Sequence, residues 1–267
     1  MSQKVLIFGG SKNIGYYSGL RLLEKGATVC YQLRRPNIFD NDEEMQKYIT
    51  SGKAIIIPGD ALKEDDVRRA WEKAAEDGVP VDTCIFTVGG YPSFSITKGF
   101  VQDPHNLCTA CMLNVLATMP RDAPPKLIFL SSVGLTKETH KAIPFALKPV
   151  YGVMLKVPHN DKLGMETAVA YAAGWTWKDV PPEGVLPEGW RARLPESGFE
   201  KHVVLVRAAL LTDGKSKGDK EGNKAYRVSQ EELGGYTISR RDIAHFIVEQ
   251  ALQEWEKFEG KVLNVGY

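Results

Sequence analysis

Runs of consecutive apolar residues recur along the chain at 5–8, 27–33, 53–58, 81–87, 126–130 and 203–211, and a last one closes it at 261–265. Runs this short, without the alternation of a half-exposed strand, predict strands buried on both faces, as in a parallel sheet. Between them the period changes. Leu20, Leu22 and Leu23 give residues 16–25 an apolar helical stripe, and Val67, Ala70, Trp71 and Ala74 do the same for residues 63–77. Residues 40–50 read as a polar helix and residues 106–119 as a helix apolar on most sides. Asn160 is placed to cap a helix over 161–173, and Ser239 one over 240–255. Alternating strands and helices predict an α/β fold: a single Rossmann-type, doubly wound parallel sheet with right-handed crossovers and a small C-terminal substrate-side region.

No composition shift splits the chain, so residues 1–267 are expected to form one domain. One segment departs from the rhythm. Residues 175–202 hold Pro181, Pro182, Pro187 and Pro195, yet also Trp175, Trp177, Trp190 and Phe199, which argues for a packed irregular insertion rather than disorder. Two uses suit it, a lid over the substrate side or a surface for homo-oligomer formation.

Charge excludes more than it suggests. The 34 basic and 33 acidic side chains leave no global field for nucleic acid or an anionic membrane. Residues 5–8 break at once into glycines, and no run approaches the ~20 apolar residues of a membrane span, so a cytoplasmic protein is expected. Cys30 and Cys84 sit in strand-like runs. Cys108 and Cys111 form a CxxC with no second pair and only His105 nearby, which reads as two small apolar residues on one helix face and no metal site.

The candidate chemistry collects where apolar runs end. Gly9, Gly10, Ser11, Lys12, Asn13, Ile14 and Gly15 turn the first strand into the first helix. Glycine permits a tight turn and a close backbone approach, and a helix N-terminus offers unpaired N–H groups, so a dinucleotide pyrophosphate is the expected ligand. Asn13 stands where the fingerprint has its middle glycine. The second strand ends in Arg34 and Arg35 with no acid between Thr28 and Pro36, which favours a 2′-phosphate and hence NADP. Asp60 and Ala61 follow the third strand, suited to an adenine amino group; Val88, Gly89 and Gly90 follow the fourth, where a ribose passes; Ser131 and Ser132 follow the fifth.

With these residues in place the chain resembles the atypical short-chain dehydrogenase/reductase superfamily, and within it the NmrA-like, NAD(P)H-binding branch. The likeness rests on the loop 9–15, on Asp60-Ala61, on Val88-Gly89-Gly90, on residues 204–214 and on residues 238–244. It implies hydride transfer using a serine and a Tyr-x-x-x-Lys pair, with the lysine holding the nicotinamide ribose. Ser132 and Lys162 match, and Ser131 joins the cofactor contacts, but four residues before Lys162 stands Pro158. Tyr151 and His159 are the replacement acids. The resemblance thus implies an NADP-dependent oxidoreductase acting on a carbonyl or conjugated double bond of a small organic molecule. A redox-neutral isomerase or lyase, and a non-catalytic NADP-sensing regulator, are the rival expectations.

Overall fold

The computed structural model describes residues 3–90, 93–95, 99–135, 156–234 and 237–267. In chain order the strands are β1 (Lys4–Phe8), β2 (Thr28–Leu33), β3 (Ala54–Pro58), β4 (Thr83–Phe86), β5 (Ser93–Ser95), β6 (Gly99–Val101), β7 (Lys126–Ser132), β8 (Val203–Ala208), β9 (Leu210–Thr212), β10 (Arg227–Ser229), β11 (Thr237–Ser239) and β12 (Lys261–Gly266). Among the described residues the helices, apart from a single turn at Gly218–Glu221, are α1 (Asn13–Glu24), α2 (Glu43–Thr50), α3 (Glu64–Ala74), α4 (Leu107–Thr118), α5 (Lys156–Ala173), α6 (Arg240–His245) and α7 (Trp255–Phe258). Eight strands form one sheet in the order β10-β12-β8-β7-β4-β1-β2-β3. Every pairing in it is parallel except β10 with β12.

The continuous apolar runs are explained by burial on both sides of this sheet. Val5 and Ile7 pack with α1, α2 and α6, whereas Leu6 and Phe8 pack with α3, α4 and α5. The chain winds outward from β1 to β3, returns to β4 and winds the other way, so the order reverses between β1 and β4. In open α/β sheets a ligand crevice opens at such a reversal, beyond the carboxyl ends of the strands. Among the described residues no helix is long and apolar enough to cross a membrane.

Three elements differ from the expectations. The run at 203–211 divides at Ala209: β8 stays in the large sheet, and β9 leaves it to pair in parallel with β11, forming the small C-terminal layer. The helix expected over 240–255 is α6, then a π-helical stretch Phe246–Ala251, then α7 after a break. Phe246, Ile247 and Val248 are all buried, and three consecutive residues span more of a helix's circumference than one α-helical stripe; the wider turn carries them. Finally, α5 is already formed at Lys156, so Asn160 lies inside it. Pro158 is the third described residue of this helix, which runs on unbroken through Lys162.

The insertion at 175–202 contains one 3₁₀ turn, Trp190–Arg193, and is laid along the helices. Trp190 and Leu194 are buried in the α3–α4–α5 layer, and the Tyr171 and Trp190 rings meet edge to face at 5.3 Å. Asn106 donates to the Val185 carbonyl at 3.0 Å, and Arg193 reaches both Glu64 on α3 and Asn114 on α4.

Tyr31 underlies α1, and the sequence makes room for it. A Cβ at Gly19 would lie 1.9 Å from the Tyr31 hydroxyl, and one at Gly10 2.5 Å from the same ring. The hydroxyl is buried with no partner among the described residues. Gly19→Ala is therefore expected to cost about 1–3 kcal/mol by overpacking, and Tyr31→Phe to raise stability by about 1 kcal/mol by removing an unpaired polar group. The double variant should recover part of the Gly19→Ala loss in urea denaturation; strict additivity would show that the clash is relieved elsewhere.

Candidate active site

The first loop sits against the end of β4. Gly9 has φ +86°, and a Cβ there would lie 2.6 Å from the Thr87 carbonyl carbon and the Val88 nitrogen. Gly15 faces the Thr87 Oγ1, 2.5 Å from where its Cβ would be, and that hydroxyl donates to the carbonyls of Phe8 and Gly9 at 3.3 and 3.2 Å. Asn13 has φ +56°. Asparagine is among the few non-glycine residues that enter this left-handed region readily, which is how it occupies the middle-glycine position. Ser11 is half-buried, Lys12 exposed and Ile14 buried beneath the loop.

Electrostatics separate α1 from its neighbours. Asp42 caps α2 through the Met45 N–H at 2.9 Å, and Glu64, Asp65 and Asp66 fill the first turn of α3. Asp161 reaches across to α4, and Ser239 with Asp242 closes α6. The first turn of α1 has no acidic residue. The positive end of a helix dipole favours an anion at such a turn.

The other strand ends lie along the same edge. Arg34 and Arg35 are exposed past β2. Asp60 and Ala61 are half-buried past β3; one Asp60 carboxylate oxygen accepts from the Leu62 N–H at 3.0 Å, and the Ala61 carbonyl accepts from Asn114 at 2.9 Å. Gly89 is exposed and a Cβ there would meet nothing within 4 Å among the described residues, whereas one at Gly90 would strike Gln102 at 2.2 Å. Val88 is half-buried and its carbonyl accepts from the Cys108 thiol at 3.3 Å. Cys108 and Cys111 are both buried on α4, and burial pushes both thiols up.

At the end of β7 the two serines part. Ser131 is fully buried with its hydroxyl unpartnered among the described residues, while Ser132 is half-buried and accepts from Lys162 Nζ at 3.4 Å. Burial lowers the Lys162 pKa, and Cys108, Glu166 and Asp161 oppose the fall. His159 is half-buried on α5, three residues before Lys162. Tyr151 lies outside the described residues.

Sequence reasoning passed over the charged groups that fix this corner. Asp161 is fully buried and accepts from Gln102 Nε2 at 2.7 Å and from the Cys108 and Thr109 N–H groups at 2.8 and 2.9 Å, so it caps α4 from α5. Glu166, also fully buried, takes Arg207 of β8 in two bonds, Nε at 3.0 Å and a terminal nitrogen at 2.6 Å. Neither carboxylate belongs to a local motif. Only the rarity of fully buried acids, applied to a helix apolar around them, gives a signal.

No family model matches the chain. The reductase pytE of Aspergillus terreus is 30% identical over 281 aligned residues that take in 100% of this chain and 99% of that protein. Among solved structures, the chain is similar to ChuY, an anaerobillin reductase of Escherichia coli O157:H7, with TM-score 0.61 at 15% identity over 98% of this chain and 95% of that one. It is also similar to a blue fluorescent protein from a metagenomic library in complex with NADPH, with TM-score 0.60 at 19% identity over 99% and 97%.

Asp161→Ala leaves one side-chain and two backbone donors buried without an acceptor. We expect a loss of about 3 kcal/mol or more in denaturant unfolding, and a smaller loss for Asp161→Asn, which keeps an acceptor oxygen; equal stability of all three proteins would show that α4 is capped by other means.

Proposed function

The chain belongs to the atypical short-chain dehydrogenase/reductase superfamily and is an oxidoreductase of that kind; from that premise we propose that it is an NADP-dependent reductase of the NmrA-like branch, acting on a carbonyl or conjugated double bond of a small organic molecule. The observation that carries this reading is the contact of Lys162 Nζ with Ser132 Oγ at 3.4 Å, on the sheet edge that also holds the glycine cradle and the start of α1, whose first turn has no acidic residue. The cradle fits a dinucleotide. Gly9 and Gly15 leave no Cβ between the loop and β4, and the open space at Gly89 leaves passage for a ribose.

In this reading Gly9, Gly10, Ser11, Lys12, Asn13, Ile14 and Gly15 with the first N–H groups of α1 hold the pyrophosphate. Arg34 and Arg35 pair with the 2′-phosphate, Asp60 and Ala61 border the adenine, and Val88, Gly89 and Gly90 border the ribose. Ser131 backs the cofactor end of β7. NADPH, when bound, supplies the hydride. Lys162 holds the nicotinamide ribose, and Ser132 donates to the oxygen on which charge develops. The proton for that oxygen comes from His159, one helical turn ahead of Lys162, or from Tyr151.

Exposed arginines at the tip of β2 make the cofactor preference testable without a substrate. In calorimetry, Arg34→Ala with Arg35→Ala is expected to weaken NADPH at least tenfold, a loss of about 1.4 kcal/mol or more, and to leave NADH affinity and the circular dichroism spectrum unchanged. NADPH affinity equal to that of the parent protein would overturn the 2′-phosphate assignment.

A further inference from the structure

Lys162 lies between two carboxylates on its own helix, and both are already engaged. Asp161 next to it is turned toward Gln102 and the start of α4. Glu166, four residues on and so one turn away on the same side of α5, is taken at both oxygens by Arg207. The ammonium contacts Ser132 instead. Among the described residues, the other group whose charge would act on the ammonium is Cys108 on α4, which burial keeps as a neutral thiol; His159 stands one turn before the lysine on the same helix.

Arg207 is held in place from several directions. Its backbone is fixed in the sheet, in register with Ser131 of β7 and Asn264 of β12. Its guanidinium lies 5.7 Å from the centre of the Trp177 ring, which the irregular insertion supplies. Asp179 and Glu232 add negative charge around it. A planar fork in a fixed position matches a carboxylate at two points; a flexible ammonium competes poorly for the same oxygens.

We propose that Arg207 is a positioning residue that sequesters Glu166, preventing that buried carboxylate from pairing with Lys162 and so leaving the lysine ammonium to Ser132 and the ligand beside it. This rests on the reading of Lys162 as the residue that meets the nicotinamide ribose. The physical basis is the cost of an unpaired buried carboxylate. With the fork removed, Glu166 takes the nearest cation, one helical turn away. Lys162 then becomes a salt-bridged structural residue, its proton is held more tightly, and its hold on Ser132 is lost. Trp177 gives the insertion a part in the site without covering it, since it stacks on the group that keeps Glu166 occupied.

The test is direct titration of Lys162 by NMR on protein with isotope-labelled lysine side chains, its signal assigned by its disappearance in Lys162→Arg. Arg207→Met is expected to raise the Lys162 pKa by about one unit or more, as for a cation gaining a close buried anion. Arg207→Met with Glu166→Gln should return it to the parent value or below. In the same variants, the limb of the pH–kcat profile that follows Lys162 should move with the NMR titration, and KM for NADPH should rise in Arg207→Met and fall back in the double variant. A Lys162 titration unmoved by Arg207→Met, or one that stays raised in the double variant, overturns the proposal. Should Arg207→Met fail to fold, Arg207→Lys, which keeps the charge and loses the fork, is expected to raise the Lys162 pKa by a smaller amount, and an unmoved titration there is equally fatal. Full activity in Lys162→Met would refute the assigned role of the lysine instead, while the NMR shift would still decide what Arg207 does.

Discussion

Thr87 governs how closely the first loop approaches the end of β4, and the cleft is built on that closeness. Its hydroxyl donates to the carbonyls of Phe8 and Gly9 and occupies the space a side chain at Gly15 would need. Its own carbonyl carbon occupies the space a side chain at Gly9 would need. The two glycines are thus required by packing inside the protein, before any ligand is considered. A separate feature is the absence of an acid from the first turn of α1, where α2, α3, α4 and α6 each receive one; the dipole of such a helix start favours negative charge. Packing sets the shape of the loop, and the helix dipole sets its sign.

This division explains which parts of the molecule were legible in the sequence. The parallel sheet was readable because each strand buries both faces and is therefore apolar without interruption, as Val5, Leu6, Ile7 and Phe8 are. The strand ends were readable because small and charged residues interrupt those runs abruptly. Ser132 and Lys162 were paired from a motif alone, and the structure brings them to 3.4 Å. Ser131, one residue earlier, alternates away into full burial. The opening loop, with asparagine in a glycine position, was readable as a variant because asparagine takes positive φ with little strain, as Asn13 does at +56°.

Legibility failed where partners are remote in sequence. Asp161 meets Cys108 and Thr109 across more than fifty residues, and Glu166 meets Arg207 across 41. Nothing near either acid announces its partner. Asn160 beside Asp161 looked like a helix cap because the local rule is sound, but both stand inside a helix already formed at Lys156, and the capping carboxylate serves another helix. The division of the run 203–211 at Ala209 failed for a related reason: an apolar stretch does not reveal that Leu210 and Leu211, with Thr212 after them, pair with residues 237–239 instead of the main sheet.

The substitution at Pro158 acquires a meaning from these long-range pairs. The described helix runs from Lys156 through Pro158 to Ala173, so the helix and the placement of Lys162 survive the proline. The tyrosine that the motif has at this position does not. A tyrosine there would share its proton with the lysine charge and tie the chemistry to two residues. Without it, the properties of this corner depend more heavily on the state of the Lys162 ammonium, which burial weakens and neighbouring carboxylates restore. Asp161 and Glu166 are close enough to stabilise that charge, and each is committed to another partner that keeps it from neutralising the charge by direct contact. A cation that is stabilised at a distance and, among the described residues, bonded to a serine hydroxyl remains available to an incoming group, whereas one closed into an ion pair would not.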